Sequence, residues 1–449
     1  MIKIANAQGF WGDSSLAPAR LLKQVPDLDY LTLEYLAEVS LSIMAIQKEH
    51  NPDSGYAHDF IDLLPILVDF WESGAKFKVI TNAGGLNPQA CAHDCIEYLE
   101  EHMNRPIKVG VVFGDNVMEL MKNTSSFRNL ETGESYSKIS EKIVTANAYI
   151  GAKGIVQALE DGAEIVITGR ISDPTLTVAP CIAHFGWGFE DYDRIAKATV
   201  AGHLIECGVQ VTGGISTDWL NVPHPEIMGY PVIEMDEDGE FIVTKAPRTG
   251  GRVDEMTVKE QLVYEIGDPE NCLSPDVSVS LTNVAVKQEG QDRVRVTGIQ
   301  GREPTETYKV SASYRDGFKA EGMLAVFGGM AQEKVRQAGQ MLLDRLKSEN
   351  ITFKESLVEC LGMGDVVPGV VEPECLGIEC VLRVAVKDDN RSYIEQFTKE
   401  VASLVTSGPP GTTGYNAGRP HVREVFGFWP CLIPKNEVEV EFDVWEVVP

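Results

Sequence analysis

Ile165-Val166-Ile167-Thr168-Gly169-Arg170-Ile171-Ser172-Asp173-Pro174 repeats a construction that occurs earlier as Lys78-Val79-Ile80-Thr81-Asn82-Ala83-Gly84-Gly85-Leu86-Asn87-Pro88. Each is a short β-branched apolar run, then a Gly-bearing polar loop, then Asp-Pro or Asn-Pro. That order predicts a buried strand, a loop and a helix, with Asn87 or Asp173 as N-cap and Pro at the first helical position. A helix N-terminus presents unpaired N–H groups and the positive end of its dipole, which favours anions. Open α/β sheets bind their ligands at such strand ends.

Outward from these segments, strands and helices alternate. Ile2–Ala7 and Asp29–Leu33 read as strands, the second ending at Glu34; Ile107–Phe113 is another. Phe60–Trp71, Pro88–Met103, Ala146–Leu159 and Ala196–Cys207 read as helices, and Val209–Thr212 as a strand before Gly213-Gly214. The rhythm predicts an α/β domain over residues 1–225, with a doubly wound, mostly parallel sheet and a strand-end ligand site. Residues 226–312 read as a β-rich segment packed on it. They hold a hairpin, Pro231–Glu234 with Phe241–Lys245, and one helix opened by a capping box at Thr257-Val258-Lys259-Glu260. Residues 313–449 predict a ferredoxin-like α+β unit from a βαββαβ order, with Val438–Trp445 as its last strand. Its Gly/Pro-rich loop, 407–420, reads as a lid or anion nest, or as a structural Ω-loop, with Arg419 as a weaker anion candidate.

Net charge is −28, from 39 Lys and Arg against 67 Asp and Glu, which argues against nucleic acid and anionic membranes as partners. No apolar run is long enough to span a bilayer and no secretory signal is visible, so the expectation is cytoplasmic. Nine scattered cysteines, an odd number, then read as reduced thiols. Cys91 and Cys95 share a helix face, but His93 between them does not complete zinc spacing. Cys207 lacks an evident His partner as a nucleophile. G-x-G-x-x-G, G-x-x-x-x-G-K-[ST] and G-x-S-x-G are all absent, which removes the usual sequence support for nicotinamide, P-loop and α/β-hydrolase chemistry.

Four predicted strand ends carry polar groups to one edge: Asn6, Gln8 and Asp13; Asn82, Gly84, Gly85 and Asn87; Arg170, Ser172 and Asp173; and Thr212 with Gly213. Glu34 is the acid/base candidate, with Asp13 and Asp173 as further catalytic carboxylates, and Glu38 lies one turn beyond Glu34. Arg170 and Arg252 have the planar fork that suits a carboxylate or phosphate. No cofactor is predicted; a divalent metal such as Mg²⁺ between Glu34 and Asp173 stays open.

Taken together, Ala5-Asn6-Ala7-Gln8-Gly9-Phe10-Trp11-Gly12-Asp13, Asp29–Glu38, Ile80–Pro88, Ile165–Pro174, Gly202-His203-Leu204-Ile205-Glu206-Cys207 and Gly250-Gly251-Arg252-Val253 resemble the acyclic terpene utilisation (AtuA-type) family, in its motif order, over roughly residues 1–340. Many members continue into a small C-terminal module or pair with a small separate subunit. Ser407–Pro420 and the residues C-terminal to it depart from that module, so a separate small partner is expected. The resemblance implies an enzyme-like α/β protein in the catabolism of branched acids and their CoA thioesters.

The resulting expectation is a lyase or hydratase acting on a branched carboxylic acid or its CoA thioester, most simply as a homo-oligomer. Glu34 would move the proton, the arginines would hold negative charge, and Asn6 and Asn82 would polarise a carbonyl. The alternatives are a non-catalytic ligand-binding subunit of a larger catabolic complex, and an isomerase of a carboxylic acid.

Overall fold

The computed structural model describes residues 1–124, 126–370, 378–413 and 418–448. Cys375, and residues 414–417 of the Gly/Pro-rich loop, lie outside them. The fold is mixed α/β, and the chain divides into two compact units, 1–313 with 428–449, and 314–427.

Unit one carries β1 (Ile2–Asn6), β2 (Tyr30–Leu33), β3 (Lys78–Thr81), β4 (Ile107–Phe113), β5 (Ile143–Ala148), β6 (Ile165–Thr168), β7 (Pro231–Met235), β8 (Phe241–Lys245), β9 (Cys272–Leu273), β10 (Ser278–Ser280), β11 (Ala285–Gly290), β12 (Arg293–Thr297) and β13 (Gln300–Arg302). Its helices are α1 (Ala17–Gln24), α2 (Glu38–His50), α3 (His58–Glu72), α4 (Pro88–His102), α5 (Met118–Asn123), α6 (Lys153–Glu160), α7 (Thr175–Phe185), α8 (Tyr192–Glu206) and α9 (Glu255–Val263). The long β14 (Thr307–Phe327) runs from unit one into unit two, followed by α10 (Ala331–Ser348), β15 (Glu355–Leu361), β16 (Glu379–Asp388), α11 (Arg391–Ser407), β17 (Thr412–Thr413), β18 (Arg423–Pro434) and β19 (Glu441–Val447).

The main sheet has ten strands in the order β11-β12-β8-β7-β1-β2-β3-β6-β4-β19. Its centre, β1-β2-β3-β6-β4, is parallel throughout. The short apolar runs read from the sequence are these strands: all four residues of β2 and all four of β6 are buried, as expected for strands covered on both faces. The core runs from the sheet into α3 and α4 through Phe60, Leu64, Leu67, Trp71, Cys91, Cys95 and Leu99. Cys91 and Cys95 are therefore packing groups. Burying each large apolar side chain of this set contributes about 1.5–3 kcal/mol before chain entropy is charged against it.

Several elements differ from the sequence reading. Ala146–Leu159 is not one helix: the chain is extended through β5 and turns helical only at Lys153. Val209–Thr212 is not a strand; Gly208–Gln210 forms a 3₁₀ turn bracketed by Gly208 at φ +59° and Gly213 at φ +110°. Helix α9 is capped one turn earlier than expected. The Asp254 carboxylate accepts from Met256 N and Thr257 N, both at 2.9 Å, and Thr257 Oγ1 in turn accepts from Asp254 N. Thr257 is thus the far side of the box. Helix α7 begins at Thr175 rather than Pro174, and Asp173 spends its carboxylate on Arg170 instead of capping. The final strand, β19, pairs antiparallel with β4 at the edge of the main sheet.

In unit two, β15-β16-β14-β17 form an antiparallel sheet. α10 and α11 cover it through Val335, Leu342, Ile394 and Phe397, against Ala320, Leu324, Leu382 and Val384.

Candidate functional site

Because β1, β2, β3, β6 and β4 are parallel neighbours, their C-terminal ends deliver Asn6, Glu34, Asn82, Arg170 and Asp115 side by side. All five are at least 95% buried. Polar groups this deep persist only when their hydrogen bonds are arranged for them.

Glu34 is the centre of the group. Its Oε1 accepts from Asn82 Nδ2 and from Leu36 N at 2.9 Å. Asn82 is held in turn, its Oδ1 accepting from Tyr35 N at 2.7 Å. Glu34 Oε2 is buried with no protein partner. Burial, followed by the nearby charge of Asp173, raises the Glu34 carboxyl well above its ordinary value; Arg170, Asn82 and Leu36 N pull the other way. With both donors on Oε1, a proton on this carboxyl belongs on Oε2.

Arg170 is a clamped cation. Its backbone N–H donates to Asp115 Oδ2 at 2.9 Å, one terminal nitrogen to Leu36 O at 3.0 Å, and the other to Asp173 Oδ1 at 2.6 Å. The guanidinium stacks 4.0 Å from the centre of the Tyr149 ring. Burial works against its charge, but Asp173, Tyr149, Glu34 and Glu38 outweigh it and hold the group protonated. Its Nε is buried and unpartnered. Tyr149 O–H donates to Glu38 Oε1 at 3.1 Å, and Lys309 Nζ lies 4.9 Å from the centre of the same ring. The site therefore carries two cations, ordered by one aromatic ring.

Asp115 was not singled out in the sequence. Its carboxylate accepts from Arg170 N and, at 2.7 Å, from Asn147 Nδ2. Burial pushes it up to about 6 against those bonds. The signal available was its position, two residues beyond an apolar run, in Phe113-Gly114-Asp115; Asn147 and Tyr149 were hidden inside the stretch misread as helix.

Other expected residues play supporting parts. Asn6 Nδ2 donates to Ile205 O and Glu206 O, both at 2.8 Å, tying the end of β1 to the end of α8. Gln8 O accepts from Glu34 N at 3.0 Å, so this turn backs the carboxylate. Asp13 closes that turn, accepting from Gly9 N at 3.0 Å and from Tyr230 O–H at 2.6 Å. Gly84 is required by close approach: a Cβ there would lie 2.5 Å from Thr168 O. Gly85 sits at φ +52° beside Met44. Ser172 N donates to Ile150 O at 3.1 Å, steadying the loop after β6.

Four candidates are placed apart from Glu34 by their contacts. Asn87 Nδ2 donates to Ser54 O at 3.0 Å. Arg252 is paired with Asp218 and Asp254, each at 3.1 Å. Thr212 O accepts from Arg252 N at 2.9 Å, so Thr212 and Gly213 belong to the Arg252 loop. Among the described residues, the grouping with metal-ligand spacing is His93, Asp94 and Glu97 on α4. Within unit two, Arg419 lines a cavity of about 400 Å³ with Lys319, Arg383 and Arg423.

Among the described residues, no helix is long and apolar enough to cross a membrane. The sequence matches no curated protein. Among solved structures, a VAO-type flavoprotein from Myceliophthora thermophila C1 aligns at 10% identity and a TM-score of 0.15, over 78% of this chain and 48% of that one. The chain thus spans about half that protein's length, and the likeness carries no argument.

A family match decides more. The pattern of "Acyclic terpene utilisation family protein AtuA" covers residues 2–444. It extends through unit two and into β19, well past the first 340 residues, so the C-terminal third is part of the family pattern and not a departure from it. The chain belongs to the acyclic terpene utilisation family AtuA.

Proposed function

We propose that the chain is a catabolic enzyme of acyclic terpene utilisation, acting as a lyase or hydratase on a branched carboxylic acid or its CoA thioester. One observation carries this reading. Glu34 is a buried carboxyl with one oxygen fixed by two donors and the other without a protein partner, beside the clamped cation Arg170. A raised carboxyl with a free oxygen suits proton donation near neutrality. A fixed guanidinium in a dry site stabilises the negative charge that develops on a carbonyl oxygen as an enolate forms. Tyr149 and Lys309 supply further positive and polar surface for a carboxylate or thioester.

In the elimination direction, a general base takes the proton from the carbon next to the carbonyl, its electron pair forms the C=C bond, the C–O bond breaks, and Glu34 gives its proton to the departing hydroxyl as water. Hydration is the reverse. The parallel five-strand centre supports reading unit one as doubly wound, and the order β15-β16-β14-β17 supports reading unit two as ferredoxin-like.

The test is a set of branched 2-enoyl-CoA thioesters incubated with the chain in H₂¹⁸O, with products read by mass. The expected result is ¹⁸O-labelled hydroxyacyl product, reduced about 10²–10⁴-fold by Glu34→Gln. Turnover unchanged in that variant removes Glu34 from the mechanism.

A further inference from the structure

Unit one holds a second buried ionisable pair that the Glu34 chemistry does not use. Near the C-terminus of α8, His203 and Glu206 lie one turn apart, with Nδ1 and Oε1 3.2 Å from each other. Their side chains are 13% and 12% exposed. Their outer atoms, His203 Nε2 and Glu206 Oε2, are buried and have no protein partner. A purely structural ion pair at this depth satisfies its remaining donors and acceptors. This one leaves a donor-acceptor face open at both ends.

The pair is built into the same strand edge. Asn6 Nδ2 grips the carbonyls of Ile205 and Glu206, anchoring the helix end to β1. Gly202 lets α8 press on the loop that carries Arg170 and Asp173, since a Cβ there would lie 2.6 Å from Pro174 O. Gly9 allows the turn after β1 to rest on the helix end, where a Cβ would lie 2.8 Å from the Cys207 carbonyl carbon. Each neighbouring element contributes groups around the pair. Asp173 comes from the loop after β6, and Glu265 lies just beyond α9. Cys207 ends α8 itself, and Gln261 Nε2 donates to His203 O at 3.3 Å. Burial, with Asp173 and Glu265, raises Glu206 to about 7 against the pull of His203. Burial lowers His203, but Glu206, with the Gln261 contact and Glu265, more than restores it. The negative end of α8 also favours an imidazolium.

We propose that His203 and Glu206 form a second acid–base pair of the Glu34 site, holding a proton across Nδ1 and Oε1 and exchanging it through Nε2 and Oε2. The proposal rests on the acid–base reading of Glu34. It supplies the acceptor that reading lacks: the carbon-bound proton passes to the pair, while the Glu34 proton leaves with the hydroxyl as water.

The experiment is a pH titration of the full chain carrying ¹⁵N-labelled histidine, followed by imidazole resonances, with His203 assigned by its loss in His203→Gln. The expected His203 midpoint lies above about 6.5, the value of a free imidazole, and falls at least tenfold in proton affinity in Glu206→Gln. Glu206→Asp, retaining part of the shift, serves where His203→Gln does not fold. In the turnover assay used for Glu34, Glu206→Gln moves the pH limb of kcat/KM. A midpoint at or below that of free imidazole, one indifferent to Glu206→Gln, or an unmoved pH limb overturns the proposal. Turnover indifferent to Glu34→Gln overturns the acid–base reading instead, whatever the His203 titration shows.

Discussion

Asn82 holds Glu34 by one carboxyl oxygen only: its Nδ2 donates to Oε1, its Oδ1 is tied back to Tyr35 N at 2.7 Å, and Oε2 is left for another partner. In the proposed function, this asymmetry leaves Oε2 as the oxygen that would carry the proton. Asn82→Ala releases Oε1 and leaves Tyr35 N without its acceptor. The variant is expected to lose about 1–3 kcal/mol of stability, read from its urea midpoint at unchanged m. It should also lose turnover while keeping substrate binding. A variant as stable and active as the parent contradicts this role.

Arg170 is held by Leu36 O, Asp173 and the Tyr149 ring, so its charge depends on a fork and a plane rather than on charge alone. Arg170→Ala leaves Asp173, itself about a third exposed, without its cation and should cost about 1.5–3 kcal/mol, the usual worth of a hydrogen bond to a charged group. Arg170→Lys keeps the charge but cannot reach both partners and stack at once, so it should fall between the two. Equal stability of Arg170→Lys and the parent counts against the clamp.

Tyr149 separates ring from hydroxyl. Tyr149→Phe removes only the bond to the half-exposed Glu38 and is expected to cost under about 1 kcal/mol. Tyr149→Ala also removes the stacking surface under Arg170 and should cost about 2 kcal/mol more. Thermal unfolding of the two variants, compared side by side, checks the order.

Acidity bears on stability through Asp115, whose folded carboxyl is raised to about 6. A raised group binds its proton more tightly when folded. Its contribution is therefore full below about 3.9, the unfolded value, and is lost as pH rises through about 6. Two units correspond to at most about 3 kcal/mol. Asp276, also raised to about 6 by burial, acts in the same direction. Calorimetry should show Tm rising as pH is lowered from about 7 to about 5. A fall over that window, in a chain that remains folded, would contradict the assignment.

The site was legible where it followed from strand ends. Glu34, Asn82 and Arg170 each close a short buried run, and parallel pairing then sets them side by side. Asp115 escaped notice because Gly114-Asp115 looks locally like any turn; only the β4–β6 pairing brings it beneath Arg170 N. Asn147 and Tyr149 were lost because alanine-bearing sequence favours helix, while β5 is held extended by pairing with β14 far along the chain. The destination of β19 was hidden for the same reason: a local pattern announces a strand but not its partner. Arg252 shows the reverse case, a plausible fork whose contacts, Asp218 and Asp254, could not be read from spacing.

The proposed chemistry requires Glu34 to carry a proton at neutral pH. Infrared difference spectra of the parent against Glu34→Gln, recorded across pH, measure that directly. The prediction is a neutral carboxylic-acid band at pH 7 that is missing in the variant, with a midpoint well above 4.5. A Glu34 that is already a carboxylate at pH 7, titrating near about 4.3 as in a free peptide, would contradict it.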